Sequence, residues 1–300
     1  MEKNMEIDFT KMEGLGNDFI ILDDRKGNIE LHENYPALAK RLCSRHFGIG
    51  ADGIILVLDS HDHDIKYRIY NSDGSQAQMC GNGMRCFARY VYENKIISKK
   101  KMRVDTKAGT IIPEVILNAL PGDKDQVHSI LVDMGEPVLF CRDIPFESPN
   151  EKAIEEGLIV GDKEYLITAL FMGNPHAVLF VDDVEKIDIE RIGRLIETHK
   201  RFPEKTNVEF IQVINKQELK MKVWERGAGR TLACGTGACA ALVAASLTGR
   251  ASDRAIIHLD GGDLDIFWDK KTNHVYKTGP ATLVFEGWIK IGDRQKIKKY

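Results

Sequence analysis

Cys80-Gly81-Asn82-Gly83 and Cys234-Gly235-Thr236-Gly237 are two copies of one short motif, 154 residues apart in a chain of 300. What precedes each copy also matches. Lys66-Tyr67-Arg68-Ile69-Tyr70-Asn71 and Lys220-Met221-Lys222-Val223-Trp224-Glu225 both alternate like strands, and each ends nine residues before its cysteine. Gly16-Asn17, an apolar run over 19–22 and Asp23-Asp24 resemble Gly173-Asn174, the run over 177–181 and Asp182-Asp183. Leu38, Leu42 and Asp52 precede Ile192, Ile196 and Asn207 by 154 or 155 positions, and Ala108-Gly109 is echoed by Gly261-Gly262. Stacked repeat proteins repeat every ~20–50 residues, so this period marks a duplicated domain instead.

Each copy predicts many short strands and few helices. Pro36 opens a helix with Leu38, Ala39, Leu42 and Cys43 on one face, and 54–58 reads as a buried strand. After Cys80, the residues Met84, Phe87, Ala88, Val91 and Tyr92 keep helical spacing. The matching helix over 238–247 is apolar on every side, so it must be enclosed, with a sheet curled around it. The expected fold class is α+β: two pseudo-symmetric lobes, each a curled, mainly antiparallel sheet around a central helix. The active site is expected in the cleft between them. Residues 1–127 with 281–300 form the first lobe, carrying Cys80; residues 128–280 form the second, carrying Cys234. The polar stretch 118–126, with Pro121-Gly122, reads as the crossover, and the charged stretch 142–164 as a surface excursion.

Bulk composition removes several function classes. With 43% hydrophobic and 29% charged residues the chain is an ordinary globular protein, and 300 residues suffice for two cores. A net charge of −3 leaves no polybasic footprint for nucleic acid. Residues 1–11 lack the apolar stretch of a secretory signal, the run over 238–247 is too short to span a bilayer, and the basic end 296–300 reads as a solvated tail. Six cysteines without an export signal point to reduced thiols and a cytoplasmic location.

A glycine turn followed by C-G-x-G at a helix start places each cysteine at a helix N-terminus, where unpaired amides and the dipole favour an anion. The thiol is then expected to ionise more readily. The first amides of both helices could hold one carboxylate. Two such ends serving one site would put a carbon between two thiols, one removing a proton as the other returns one. Taken alone, C-G-x-G is only a tight turn into a helix. Cys86 and Cys239, one to two turns into their helices, read as packing residues. Cys234-x4-Cys239 loosely approaches zinc spacing, but Cys80-x5-Cys86 does not, and no C-x-x-C occurs, so neither a metal nor a redox role is expected. No glycine-rich phosphate loop or Schiff-base lysine motif is present, so no cofactor is expected. His176 stands out because its loop copies the one holding Asn17.

Seven stretches together resemble the diaminopimelate epimerase family over nearly the whole chain. They are residues 11–19 (KMEGLGNDF), 48–53 (GIGADG), 71–74 (NSDG), 79–83 (MCGNG), 172–176 (MGNPH), 225–229 (ERGAG) and 233–237 (ACGTG). The resemblance implies conversion of LL-diaminopimelate to the meso form without cofactor, in lysine and peptidoglycan precursor synthesis, by a homodimer. It makes Cys80 and Cys234 the acid/base pair, with Gly81, Asn82, Gly235 and Thr236 supplying amides to the reacting carboxylate. Asn17, Asn71, Asn174, Asn207, Glu225 and Arg226 would line the pocket, and His176 with Glu225 would position the reacting end. The asparagines have an ordinary reading too, as turn formers. Gly53 stands where some members have glutamine, Arg230 where glutamate is expected, and Gln76 and Gln78 where acidic residues are common. A related cofactor-free racemase acting on histidine would keep most of this pocket. A proline-type enzyme would show histidine at Asn82.

Overall fold

The computed structural model describes residues 5–118 and 126–291. Most of the 118–126 crossover and the 296–300 tail lie outside them. Contacts divide the chain into two compact units, Met1–Ile130 with Pro280–Tyr300, and Leu131–Gly279. The first contains β1 (Met5–Gly14), β2 (Asn17–Asp23), α1 (Tyr35–Leu42), β3 (Gly53–Leu58), β4 (Ile65–Asn71), β5 (Gln76–Ala77), α2 (Gly81–Glu93), β6 (Val104–Thr106), β7 (Gly109–Ile111) and β8 (Glu114–Leu117). Strand β9 (Val127–Asp133) runs into the second unit. There follow β10 (Glu156–Val160), β11 (Lys163–Phe171), β12 (Pro175–Phe180), α3 (Ile189–Glu197), β13 (Asn207–Asn215), β14 (Glu218–Glu225), β15 (Gly229–Thr231), α4 (Gly235–Leu247), β16 (Arg254–Leu259), β17 (Gly262–Asp269) and β18 (His274–Gly279). Strand β19 (Thr282–Ile291) returns to the first unit beside β1.

The duplication is visible strand by strand. In the first unit the order β1-β2-β3-β4-β6-β7 is antiparallel except for the pairs β2/β3 and β4/β6, and β5 pairs off β4. In the second, β11-β12-β13-β14-β16-β17 repeats that order, with β12/β13 and β14/β16 parallel and β15 off β14. Helices α1 and α3, and α2 and α4, occupy matching places in the sequence of elements.

Each unit is held by the apolar faces its sequence alternates. In the first, Ile20, Leu22, Leu38, Leu42, Ile54 and Leu56 form a buried cluster under α1. Asn34 caps α1 by accepting from the Ala37 amide, with Pro36 in the first turn. Helix α4 packs on β11, β12, β13, β14, β16, β17 and β18, and residues 237–245 are all buried. An all-apolar helix has no solvent face to offer, and this sheet wraps it. Cys86 and Cys239 are packing residues with no exposure.

The stretch 142–164 is not a surface excursion. It contributes Ile144, Phe146, Ala153 and Leu158 to the core of the second unit and includes the edge strand β10. Exposed charged residues such as Arg142, Glu147, Glu151 and Lys152 stand between those apolar ones, which hides the burial from any windowed average.

Candidate active site

Both cysteines act as helix N-caps. Cys80 Sγ accepts from the Gly83 amide at 3.5 Å, and Cys234 Sγ from the Gly237 amide at 3.3 Å. The last glycine of each motif is needed for space. A Cβ on Gly83 would lie 2.8 Å from Tyr67 Oη and 3.0 Å from Ile55 Cδ1. One on Gly237 would lie 2.6 Å from Glu209 Oε1 and 3.2 Å from Cys234 Sγ. The capping amide can approach its sulfur only because position 83 or 237 carries no side chain.

In the first unit, Cys80 is half-buried and its thiol reaches Asn17 Oδ1 at 3.7 Å. Asn82 Nδ2 points to the same oxygen at 3.4 Å. Asn17 Nδ2 donates to Asp52 at 2.6 Å, and Arg45 binds both Asp52 and Asp18. Lys11, nearly buried, sits 2.6 Å from Asp18. Burial alone would raise the Asp18 carboxyl, but Arg45 and Lys11 hold it well below the usual range. Asn82 Oδ1 accepts from the fully buried Arg85 at 2.9 Å, and Arg85 also donates to the carbonyl of Pro280. The surroundings of Cys80 are therefore braced from two sides. Asn71 lies at the adjacent end of β4, opposite Gly53, but its amide donates to Ser75 Oγ in a turn, the ordinary reading for an exposed asparagine. At Gly53 a Cβ would meet the Tyr70 carbonyl at 2.7 Å, so this backbone has no room for a side chain.

In the second unit, Cys234 is 4% exposed and lies 3.4 Å from Thr236 Oγ1. Thr231 Oγ1 donates to the Glu225 carboxylate. The helix-terminus expectation of an acidic thiol fails here. Burial first, then the charges of Glu225 and Glu209, push Cys234 well up, against the smaller pull of Thr236 and the Gly237 amide. Glu225 itself is raised, mainly by burial, so this carboxyl holds a proton more readily than an exposed one. His176, fully buried on β12, contacts Glu209 Oε1 through Nδ1 at 2.7 Å and Asn174 Oδ1 through Nε2 at 2.8 Å.

Asn207 opens β13. It is 2% exposed, its Nδ2 donates to the Pro175 carbonyl and its Oδ1 accepts from the Arg226 amide, both at 2.9 Å. It ties β12 to the chain leaving β14. The exposed Arg226 guanidinium donates to the Glu204 carbonyl at 3.2 Å. Gly235 and Thr236 open α4 as Gly81 and Asn82 open α2. Arg230 pairs with Asp260 at 3.1 Å, a surface bridge. Among the described residues no cluster of three or more His, Cys, Asp or Glu side chains could hold a metal, and no helix is long and apolar enough to cross a membrane.

Sequence reading overlooked Glu209. A carboxylate inside the buried run Asn207-Val208-Glu209-Phe210-Ile211 was the available signal, since buried charges are rare and paired.

Each duplicated sheet-and-helix lobe thus carries a cysteine that caps its central helix. The fold is shared with a solved phenazine biosynthesis protein of the PhzF family from Bacillus anthracis, with a TM-score of 0.69 at 17% identity over 96% of this chain and 100% of that one. It is shared too with a probable proline racemase from Agrobacterium radiobacter, with a TM-score of 0.65 at 12% identity over 97% and 94%. The family pattern described as diaminopimelate epimerase matches residues 9–140 and 168–284, and the chain belongs to that family. A diaminopimelate epimerase from Desulforapulum autotrophicum is 59% identical over 96% of this chain and all of its own length.

Proposed function

We propose that the protein converts LL-2,6-diaminopimelate to meso-diaminopimelate by a two-thiol exchange of the α-proton. The observation that supports this most is the matched capping of two helices by Cys80 and Cys234 at equivalent positions of a duplicated fold. In this reading the amides of Gly81, Asn82, Gly235 and Thr236, left over once Gly83 and Gly237 cap the sulfurs, bind the reacting carboxylate. That carboxylate delocalises the carbanion as the C–H bond breaks, stabilised by the same amides. One sulfur enters as thiolate and takes the proton; the other enters as thiol and gives its proton to the opposite face. Cys234 enters as the thiol, because burial and two carboxylates oppose its charge. Glu225 and His176 position the reacting end, His176 by holding the neighbouring loop. The Arg226 guanidinium provides the bidentate grip for the distal carboxylate, with Asn17, Asn71 and Asn174 fixing the far centre. No step calls for a cofactor. A cytoplasmic homodimer serving lysine and peptidoglycan precursor synthesis completes this reading.

The test is proton NMR in D2O with LL-diaminopimelate, L-histidine and L-proline in separate samples. Selective loss of the diaminopimelate α-proton signal with appearance of the meso isomer is expected. Faster exchange with histidine would transfer the same thiol chemistry to another substrate, and no exchange with any would end the proposal.

A further inference from the structure

Helix α3 ends on a carboxylate in a costly place. Glu197 is its last residue and is 6% exposed. Burial disfavours a negative charge, and the C-terminal end of a helix opposes it further, so this side chain needs strong partners. It has them on both oxygens. Oε2 accepts from the Trp224 indole Nε1 at 2.7 Å, and Oε1 accepts from the Gly227 amide at 2.9 Å. Lys205 stands 3.7 Å from Oε1. Burial alone would raise this carboxyl, but Trp224, Gly227 and Lys205 together hold it below its ordinary value.

The two donors flank Glu225 and Arg226. Strand β14 ends at Glu225, which pairs with Gly229 of β15, so residues 226–228 form an exposed turn. The Ala228 amide closes that turn on the Glu225 carbonyl at 3.1 Å, and Gly227 takes a φ of 77° that a side chain would strain. Trp224 is pressed against α3, since a Cβ at Gly193 would lie 2.6 Å from Trp224 Cβ. Glu197 thus joins the end of β14 to the far side of the turn, around the arginine.

The first unit builds the same turn without this clamp. At the spacing of 154, the bond from the Gly74 amide to the Asn71 carbonyl matches that from Ala228 to Glu225. The Ser72 amide donates to the Asp52 carbonyl where the Arg226 amide donates to Asn207. Position 43, the counterpart of 197, is a buried cysteine, and Tyr70 stands for Trp224. The carboxylate is therefore not needed to make the turn. It occurs in the copy whose turn carries an arginine.

We propose that Glu197 is a positioning residue for the substrate's distal carboxylate: by holding Trp224 and Gly227 at once, it fixes the turn that presents the Arg226 guanidinium. This rests on the reading above, in which Arg226 grips that carboxylate. Glutamine cannot replace it, because an amide has one acceptor oxygen and its NH2 group would face a second N–H donor.

The test is a double-mutant cycle, read as KM and kcat for LL-diaminopimelate in Glu197→Gln, Arg226→Ala and the double variant. Glu197→Gln is expected to raise KM about tenfold, the effect of weakening one contact between charged groups, with a smaller change in kcat. Arg226→Ala is expected to raise KM at least as much, and the double variant no further. Circular dichroism and a urea midpoint establish that each protein is folded. Where Glu197→Gln does not fold, Trp224→Phe, which removes one donor and keeps an aromatic ring, takes its place in the cycle with the same direction expected. An unchanged KM in that single variant, or penalties that add in the double variant, overturns the proposal and leaves Arg226 as the grip. An unchanged KM in Arg226→Ala overturns the proposal together with the reading on which it rests.

Discussion

Glu209 Oε1 occupies the space that a side chain at Gly237 would need, 2.6 Å from the Cβ that Gly237 lacks. The glycine and the carboxylate are therefore a matched pair. In Gly237→Ala either the carboxylate or the start of α4 must move, costing about 1–3 kcal/mol by overpacking. Gly83→Ala should cost a similar amount against Tyr67 and Ile55. Urea midpoints measure both, and loss of turnover beyond the loss of folded protein is expected in each. An unchanged midpoint in Gly237→Ala would mean that the contact is relieved at no cost.

Asn207 and Asn71 look alike in sequence but should behave oppositely. Asn207→Asp turns a donor to the Pro175 carbonyl into a repelling acceptor within a 2%-exposed site, at a cost of about 2–4 kcal/mol. The same change at the exposed Asn71 should stay below about 1 kcal/mol. Equal destabilisation of the two variants would contradict the roles assigned here.

Asp18 ties acid stability to the first half-site. Its folded carboxyl is held below the unfolded value of about 3.9, so the native state binds fewer protons than the unfolded chain in that range. The stabilisation is present above about pH 4 and is lost as pH falls through and below it. Asp18→Asn should lower stability at neutral pH by about 2–3 kcal/mol, somewhat under a fully buried pair, and flatten the acid limb of the curve. Chemical denaturation between pH 3 and 7 reads both effects. An acid limb of unchanged slope would remove Asp18 from the account.

Thiol reactivity should separate the cysteines. Burial pushes Cys43 and Cys86 up to about 12, so neither should alkylate in the folded protein at about pH 8. Cys80, half-buried, should label first, and Cys234 slowly, because its thiolate forms only as pH rises well past the ordinary thiol range. Removing one of the opposing charges in Glu225→Gln should lower the Cys234 value and speed its labelling at neutral pH. Peptide mass spectrometry after timed iodoacetamide treatment would show it; slower labelling in the variant would reverse the sign argued for Glu225.

Much of this was legible in the chain. The 154-residue period forecasts the duplicated strand order, and the all-apolar α4 forecasts its own enclosure, because both are patterns of spacing and polarity. Spacing could not tell whether an asparagine faces a cleft or ties two backbone segments, as Asn207 does, because that depends on partners on other strands. Likewise a helix terminus is visible in C-G-x-G, but the burial and the two carboxylates that outweigh it at Cys234 come from β13 and β14. The core residues Ile144, Phe146 and Leu158 were hidden because charged neighbours interrupt any simple period.

The central claim is that two different groups handle the α-proton. It is tested most directly by the early fate of deuterium when LL-diaminopimelate turns over in D2O. The two-thiol account predicts that the first meso product carries deuterium at the inverted carbon while recovered LL substrate still carries hydrogen, and that this deuterated meso product no longer forms in Cys80→Ser or in Cys234→Ser. Early meso product that retains the original hydrogen would mean that one base both removes and returns the proton, and would contradict the account.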